Sequence, residues 1–120
     1  MRQLNGIDVS FLNMETSCTF GHISSLSLFD ANAETGGAGL EATKAIILER
    51  IDQLAPFRRR LVQVPLGLDL PYWVEDENFS FDRHIRRIAV PAPGDQQALA
   101  EVVSYLYSKH LDRSKPLWEV

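Results

Sequence analysis

PAPGDQQALAEVVSYLYSKHLDRSKPLWEV, residues 91–120, holds a loop, a helix and the start of a strand in one run. Pro91, Pro93 and Gly94 mark the loop. Asp95 is a natural N-cap, because a carboxylate accepts bonds from the orphan amides of a first helical turn. Leu99, Val102, Val103, Leu106 and His110 then recur at helical spacing and predict a helix that brings His110 to its end. Residues 116–120 follow with aromatic and β-branched side chains that suit a strand, and the sequence stops before that strand is complete. Helix and strand in succession predict an α/β fold, a mixed sheet with flanking helices.

The same signals recur toward the amino terminus. Residues 84–90 are a candidate strand whose inward face Arg86 and Arg87 leave open. Residues 60–64 and 72–75 flank Pro65, Gly67, Asp69 and Pro71, a turn-rich connection that suits two strands in a hairpin. Leu40, Ile47, Ile51 and Leu54 lie on one side of a helix that Pro56 should end. Residues 30–39, DANAETGGAG, carry no large apolar side chain and read as a flexible surface loop. Before it, Ser25 and Ser27 alternate with Leu26 and Leu28, which predicts a strand over residues 22–29. Asp8 is placed to cap a short helix over residues 9–15, with Phe11, Leu12 and Met14 on its apolar face.

At 120 residues, 45% apolar and 23% charged, the chain has material for one ordinary core. A net charge of -4 argues against nucleic acid as a partner, since affinity for a polyanion comes mainly from Lys and Arg neutralising phosphates. The single cysteine, Cys18, forms no internal disulfide and reads as a small buried or half-buried side chain. The first residues hold one basic side chain and no apolar run of the kind a signal peptide needs, so the expected start is inside the cell. Residues 16–29 are the longest uncharged stretch but are broken by Ser, Thr, Gly and His, so membrane contact is expected to be peripheral.

His22, His84 and His110 are scattered, with no second ligand at metal-site spacing, and no metal is expected. His22 and His110 read as structural. Neither a G-x-S-x-G elbow nor a phosphate-binding glycine loop occurs. Glu75, Asp76 and Glu77 form a carboxylate run of the kind that usually faces solvent. Arg58, Arg59 and Arg60 follow the proline and suit the phosphates of a coenzyme or an anionic membrane surface. They equally suit surface cations whose aliphatic stems pack on the core.

Four stretches in order resemble the amino-terminal region of the wax ester synthase/diacylglycerol acyltransferase family. They are GIDVSFLNME at residues 6–15, PFRRRL at 56–61, YWVEDENFSFDRH at 72–84 and LDRSKPLWE at 111–119. The last matches the family's L-D-R-x-x-P-L-W-E signature and is the most specific. The resemblance implies a chloramphenicol-acetyltransferase-like fold, shared with peptide-synthetase condensation domains, in which two similar domains flank a tunnel; residues 1–120 would be part of the first. It implies transfer of a fatty acyl group from acyl-CoA, the co-substrate, to diacylglycerol or a long-chain alcohol, with no metal and no covalently bound cofactor.

The family's general base is the second histidine of an H-H-x-x-x-D-G motif beyond P-L-W-E, which this sequence does not contain. The resemblance therefore assigns no catalytic residue here and implies that the coding sequence continues to that motif. Residues 1–120 alone would be inactive, and would pair with the remainder of the polypeptide or self-associate. Pro116, Leu117 and Trp118 would be substrate-binding, although Trp118 also suits a core position, and Arg58, Arg59 and Arg60 would contact the coenzyme. The implied location is cytoplasmic, peripheral on the inner membrane or lipid inclusions. Two alternatives share the fold: a condensation-type enzyme using carrier-protein thioesters, and a non-catalytic binding or regulatory module.

Overall fold

A computed structural model describes residues 1–29 and 39–120. Its centre is an antiparallel sheet of three short strands in the order β1-β3-β2, where β1 is Arg2–Gln3, β2 is Arg59–Val62 and β3 is Tyr72–Glu75. The expected hairpin is present, with Arg60 opposite Val74 and Leu61 opposite Trp73. Its turn passes through Leu66 and Gly67, both at positive φ, and the Gly67 N–H donates to Val64 O at 3.1 Å. The pairing of Arg2 with Trp73 was not expected, because two residues carry no periodicity to read.

Among the described residues three α-helices accompany the sheet: α1, Gly6–Met14; α2, Gly39–Arg50; and α3, Gln96–Tyr107. In α3 the expected cap is in place, Asp95 accepting the Ala98 N–H at 2.8 Å, and Leu99, Val102, Val103 and Leu106 are half-buried. The stripe on α2 also holds: Leu40 and Ile47, with Ile51 and Leu54 beyond the helix, are half-buried while Ile46 and Leu48 face solvent. Buried positions are few. Leu4, Leu61 and Ile85 form the core with His84 and Pro116 beside them.

Several expectations are corrected. Asp8 is not the cap of α1; Asn5 is, accepting the Asp8 N–H at 2.8 Å, while Asp8 accepts the Asn5 N–H at 3.3 Å. This reciprocal box satisfies two orphan amides, so the helix starts earlier, at Gly6. Residues 22–29 form no strand. Alternation marks a face, but a strand also needs a neighbour for its backbone groups, and among the described residues none pairs with this segment, which leaves Ile23 95% exposed. The expected flexible loop at residues 30–39 lies outside the described residues except for Gly39, which opens α2.

Helix α2 ends at Arg50, short of Pro56, because the chain tightens into turns with Gln53 N–H to Arg50 O at 2.9 Å and Leu54 N–H to Ile51 O at 3.1 Å. Cys18 is exposed, at the tip of a turn closed by Thr16 and Thr19. Residues 84–90 and 116–120 are not strands, yet they meet: Val120 donates to His84 O at 2.7 Å and accepts from Arg86 N–H at 2.8 Å. That is the bond pattern of one parallel rung centred on Ile85. The tight turn from Trp118 N–H to Pro116 O, 2.9 Å, stops regular pairing sooner.

The Asp95 cap gives a direct test of this fold. Asp95→Ala should destabilise the protein by about 1 kcal/mol, as loss of an N-cap usually does, measured by urea denaturation. An unchanged midpoint would show that α3 does not depend on this cap.

Candidate functional site

The segment that carries Pro116, Leu117 and Trp118 is fixed from both ends. At its start Asp112 accepts Ser114 N–H at 2.9 Å, Ser114 Oγ–H at 2.6 Å and the Lys115 ammonium at 2.7 Å. Those bonds, the one from Lys115 above all, hold its carboxyl well below the usual carboxylate range. Further along, the Trp118 indole N–H donates to Phe57 O at 2.8 Å, and its ring stacks on His84 with centroids 4.5 Å apart. His84 Nδ1 lies 2.8 Å from Trp118 O, and Phe79, Phe81 and Phe57 surround the pair. Trp118 is therefore a packing centre. Pro116 is buried and bridges to Arg60.

Leu117 points elsewhere. It lines an open cleft of about 310 Å³ together with Arg2, Asn5, Asp8, Pro56, Arg59 and Trp73. The cleft brings one residue from each expected site group together, Leu117 from the proline-leucine-tryptophan run and Arg59 from the arginine run. The other arginines are used differently. Arg58 pairs with Asp52 and Glu75, both at 3.1 Å, and Arg60 lies 3.9 Å from Asp76. The carboxylate run at Glu75 and Asp76 thus balances arginine charge. Among the described residues Arg59 has no ion-pair partner.

Arg2, Asp8, Pro56 and Trp73 were not expected at a common site. No local spacing announces them, because only the sheet order β1-β3-β2 brings residue 2 beside residue 73. A second cluster was also missed. Glu15, just past α1, accepts from Arg113 at 2.6 and 3.1 Å and lies 3.2 Å from His110 Nδ1, while Arg113 also donates to Leu12 O at 2.7 Å. His110 stands beyond the end of α3 and serves this cluster, not the helix terminus. Phe20 packs against both His110 and His22. The chemical hint was a lone Glu at a helix end and an Arg in a turn, which only folding joins. Among the described residues no group of His, Cys, Asp and Glu is arranged to hold a metal.

A family profile described as "Wax ester synthase/diacylglycerol acyltransferase catalytic domain" matches residues 4–120. A protein of Mycobacterium tuberculosis, provisionally described as a diacylglycerol O-acyltransferase, is 36% identical over 99% of this chain and 25% of its own length. A second protein of that organism with the same kind of description is 32% identical, over 98% of this chain and 43% of its own. The solved structure of a wax ester synthase/diacylglycerol acyltransferase from Marinobacter aquaeolei VT8 superposes on 100% of this chain and 28% of its own, with a TM-score of 0.70 and 27% identity. The chain thus spans about a quarter of the length of the first of these relatives.

The Glu15 cluster has a pH signature. Burial alone would push the Glu15 carboxyl up, but hydrogen bonds from Arg113, His110 and the Gly21 backbone, with the Arg113 charge, hold it below its ordinary 4.5. A carboxyl depressed in the folded state stabilises fully above its unfolded pKa and loses that contribution as pH falls through the folded value. Stability should therefore fall on acidification below pH 4.5, and Glu15→Gln should lose that component and cost about 1–3 kcal/mol at neutral pH by leaving Arg113 unmatched. Denaturation curves across pH check both. The same acid dependence in the variant would remove Glu15 from the explanation.

Proposed function

The chain belongs to the wax ester synthase/diacylglycerol acyltransferase family, and from that membership we propose that it serves the transfer of a fatty acyl group from acyl-CoA to the hydroxyl of diacylglycerol or a long-chain alcohol. The product is triacylglycerol or a wax ester. The observation that carries this reading is that the likeness to acyltransferases runs along the whole chain.

In this reaction the hydroxyl oxygen attacks the thioester carbonyl, a C–O bond forms, the C–S bond breaks, and a general base takes the hydroxyl proton that the departing thiolate finally receives. Neither His84 nor His110 is placed to be that base. His84 is 3% exposed, stacked on Trp118 and bound to its carbonyl; His110 is committed to Glu15. The resemblance implies that the base belongs to a paired-histidine segment outside residues 1–120. These residues instead hold the P-L-W-E segment in place, with Leu117 and Arg59 facing the ligand side.

Membrane contact in this reading is peripheral. Among the described residues no helix is long and apolar enough to cross a membrane. Leu66 and Leu68, 93% and 80% exposed at the hairpin tip, offer apolar contact to a lipid surface.

The test is to incubate the full-length protein with labelled acyl-CoA plus diacylglycerol or a long-chain alcohol and follow ester formation. Ester should appear with the full-length protein and not with residues 1–120 alone, since proton transfer from a positioned base typically contributes about 10²- to 10⁴-fold. Consumption of an acylated carrier protein and not acyl-CoA would overturn the donor assignment. Repeated turnover by residues 1–120 would overturn the placement of the base.

A further inference from the structure

We infer that the cleft between β1, β3, the start of α1 and Leu117 is a phosphate-group site, taking a ligand whose phosphate lies between Arg2 and Arg59 and whose apolar or aromatic part lies against Trp73, Pro56 and Leu117. Strand register puts these groups on one face. Arg2 is opposite Trp73, Trp73 is opposite Leu61, and Arg59 lies two residues from Leu61 along β2. The two guanidiniums thus flank the indole diagonally across the sheet. Neither has an ion-pair partner among the described residues, whereas Arg58, Arg60, Arg86 and Arg113 all do.

The carboxylates nearby do not cancel them. Glu75, opposite Arg59, is bound by Arg58 at 3.1 Å. Asp8, which lines the cleft, turns its carboxylate to the Asn5 N–H at 3.3 Å and is balanced by the amino-terminal turn of α1. Two free guanidiniums over one locally satisfied carboxylate leave a net positive cleft, and a guanidinium presents a planar fork that matches phosphate oxygens. The wall is apolar: a tryptophan, a proline and a leucine. A volume of about 310 Å³ sits at the small end of ligand pockets, about 300–1,000 Å³. It fits a nucleotide-sized end or a lipid headgroup and leaves any long chain outside.

Under the acyl-transfer reading, on which this choice of ligand rests, the phosphate comes from the nucleotide end of the coenzyme; an anionic phospholipid headgroup offers the same chemistry. The experiment separates the two. Full-length protein is titrated calorimetrically with adenosine 3′,5′-bisphosphate, which carries no thioester, and in parallel is sedimented with phosphatidylcholine vesicles with and without phosphatidylglycerol. The variants are Arg2→Gln/Arg59→Gln and, as a charge-loss control away from the cleft, Arg87→Gln. The bisphosphate should bind with salt-dependent affinity, about tenfold weaker in the double variant and unchanged in Arg87→Gln. Thermal melts establish that the double variant is folded.

Binding to phosphatidylglycerol vesicles alone, lost in the double variant, would support the site with a lipid headgroup as its ligand. A folded double variant that matches the parent with both probes overturns the site. Failure of the acyl-transfer reading looks different: no ester forms from acyl-CoA, while the bisphosphate still binds through Arg2 and Arg59. A site that fails while the reading stands leaves ester formation intact, with the apparent constant for acyl-CoA the same in parent and double variant.

Discussion

The indole of Trp118 joins stretches of chain that share no local structure. Its N–H reaches the carbonyl of Phe57, ahead of β2; its ring covers His84; the backbone carbonyl of Trp118 lies within bonding distance of the His84 ring. A buried indole needs a partner for its N–H and gains from a face-on neighbour, each worth about 0.5–1.5 kcal/mol beyond area burial. The first two contacts depend on the side chain and the third on the backbone of the same residue. This aromatic group, Phe57, Phe79, Phe81, His84 and Trp118, packs residues 57–84 against the end of the chain.

The amino-terminal segment is attached by a different kind of contact. Arg113 bridges the Glu15 carboxylate and the Leu12 carbonyl, so one guanidinium both neutralises an acid and satisfies an orphan carbonyl at the end of α1. Glu15 is only 15% exposed, where removing either charge would strand the other. Arg113 lies within the stretch that ends in Trp118, so a single run of residues fixes both the start and the middle of the chain. That dual anchoring is a physical reason for L-D-R-x-x-P-L-W-E to act as a unit: Asp112 sets the turn, Arg113 reaches back to α1, and Trp118 closes on His84.

What could be read from the sequence followed the range of the signal. The α3 cap, the stripes on α2 and α3 and the β2–β3 hairpin are written within a few residues, and all are present. The strand proposed for residues 22–29 is not formed, because a strand is a property of two segments and a periodic pattern describes only one, while residues 84–90 and 116–120 meet in a single rung. Asp8 is the nearest acid to the apolar run and suits a cap by sequence alone, yet Asn5, three residues earlier, completes a reciprocal pair with it. In the cleft, Leu117 and Arg59 belong to motifs legible in the sequence, but their neighbours Arg2 and Trp73 depend on sheet order, which spacing along the chain does not encode.

The arginine run shows how neighbouring identical residues acquire separate roles. Successive side chains on a strand point to opposite faces, so Arg59 and Arg60 cannot share an environment. Arg60 faces Asp76 on one side of β2, while Arg59 shares the face of Leu61 and Trp73 on the other. Arg58 precedes the strand and is drawn to Asp52 and Glu75. The acidic neighbours therefore compensate Arg58 and Arg60 and leave Arg59 uncompensated. For an anion approaching this chain, the effective charge of the run is that of one guanidinium at the cleft. Its neighbour there is Arg2, from the far edge of the sheet, with Trp73 of β3 between the two.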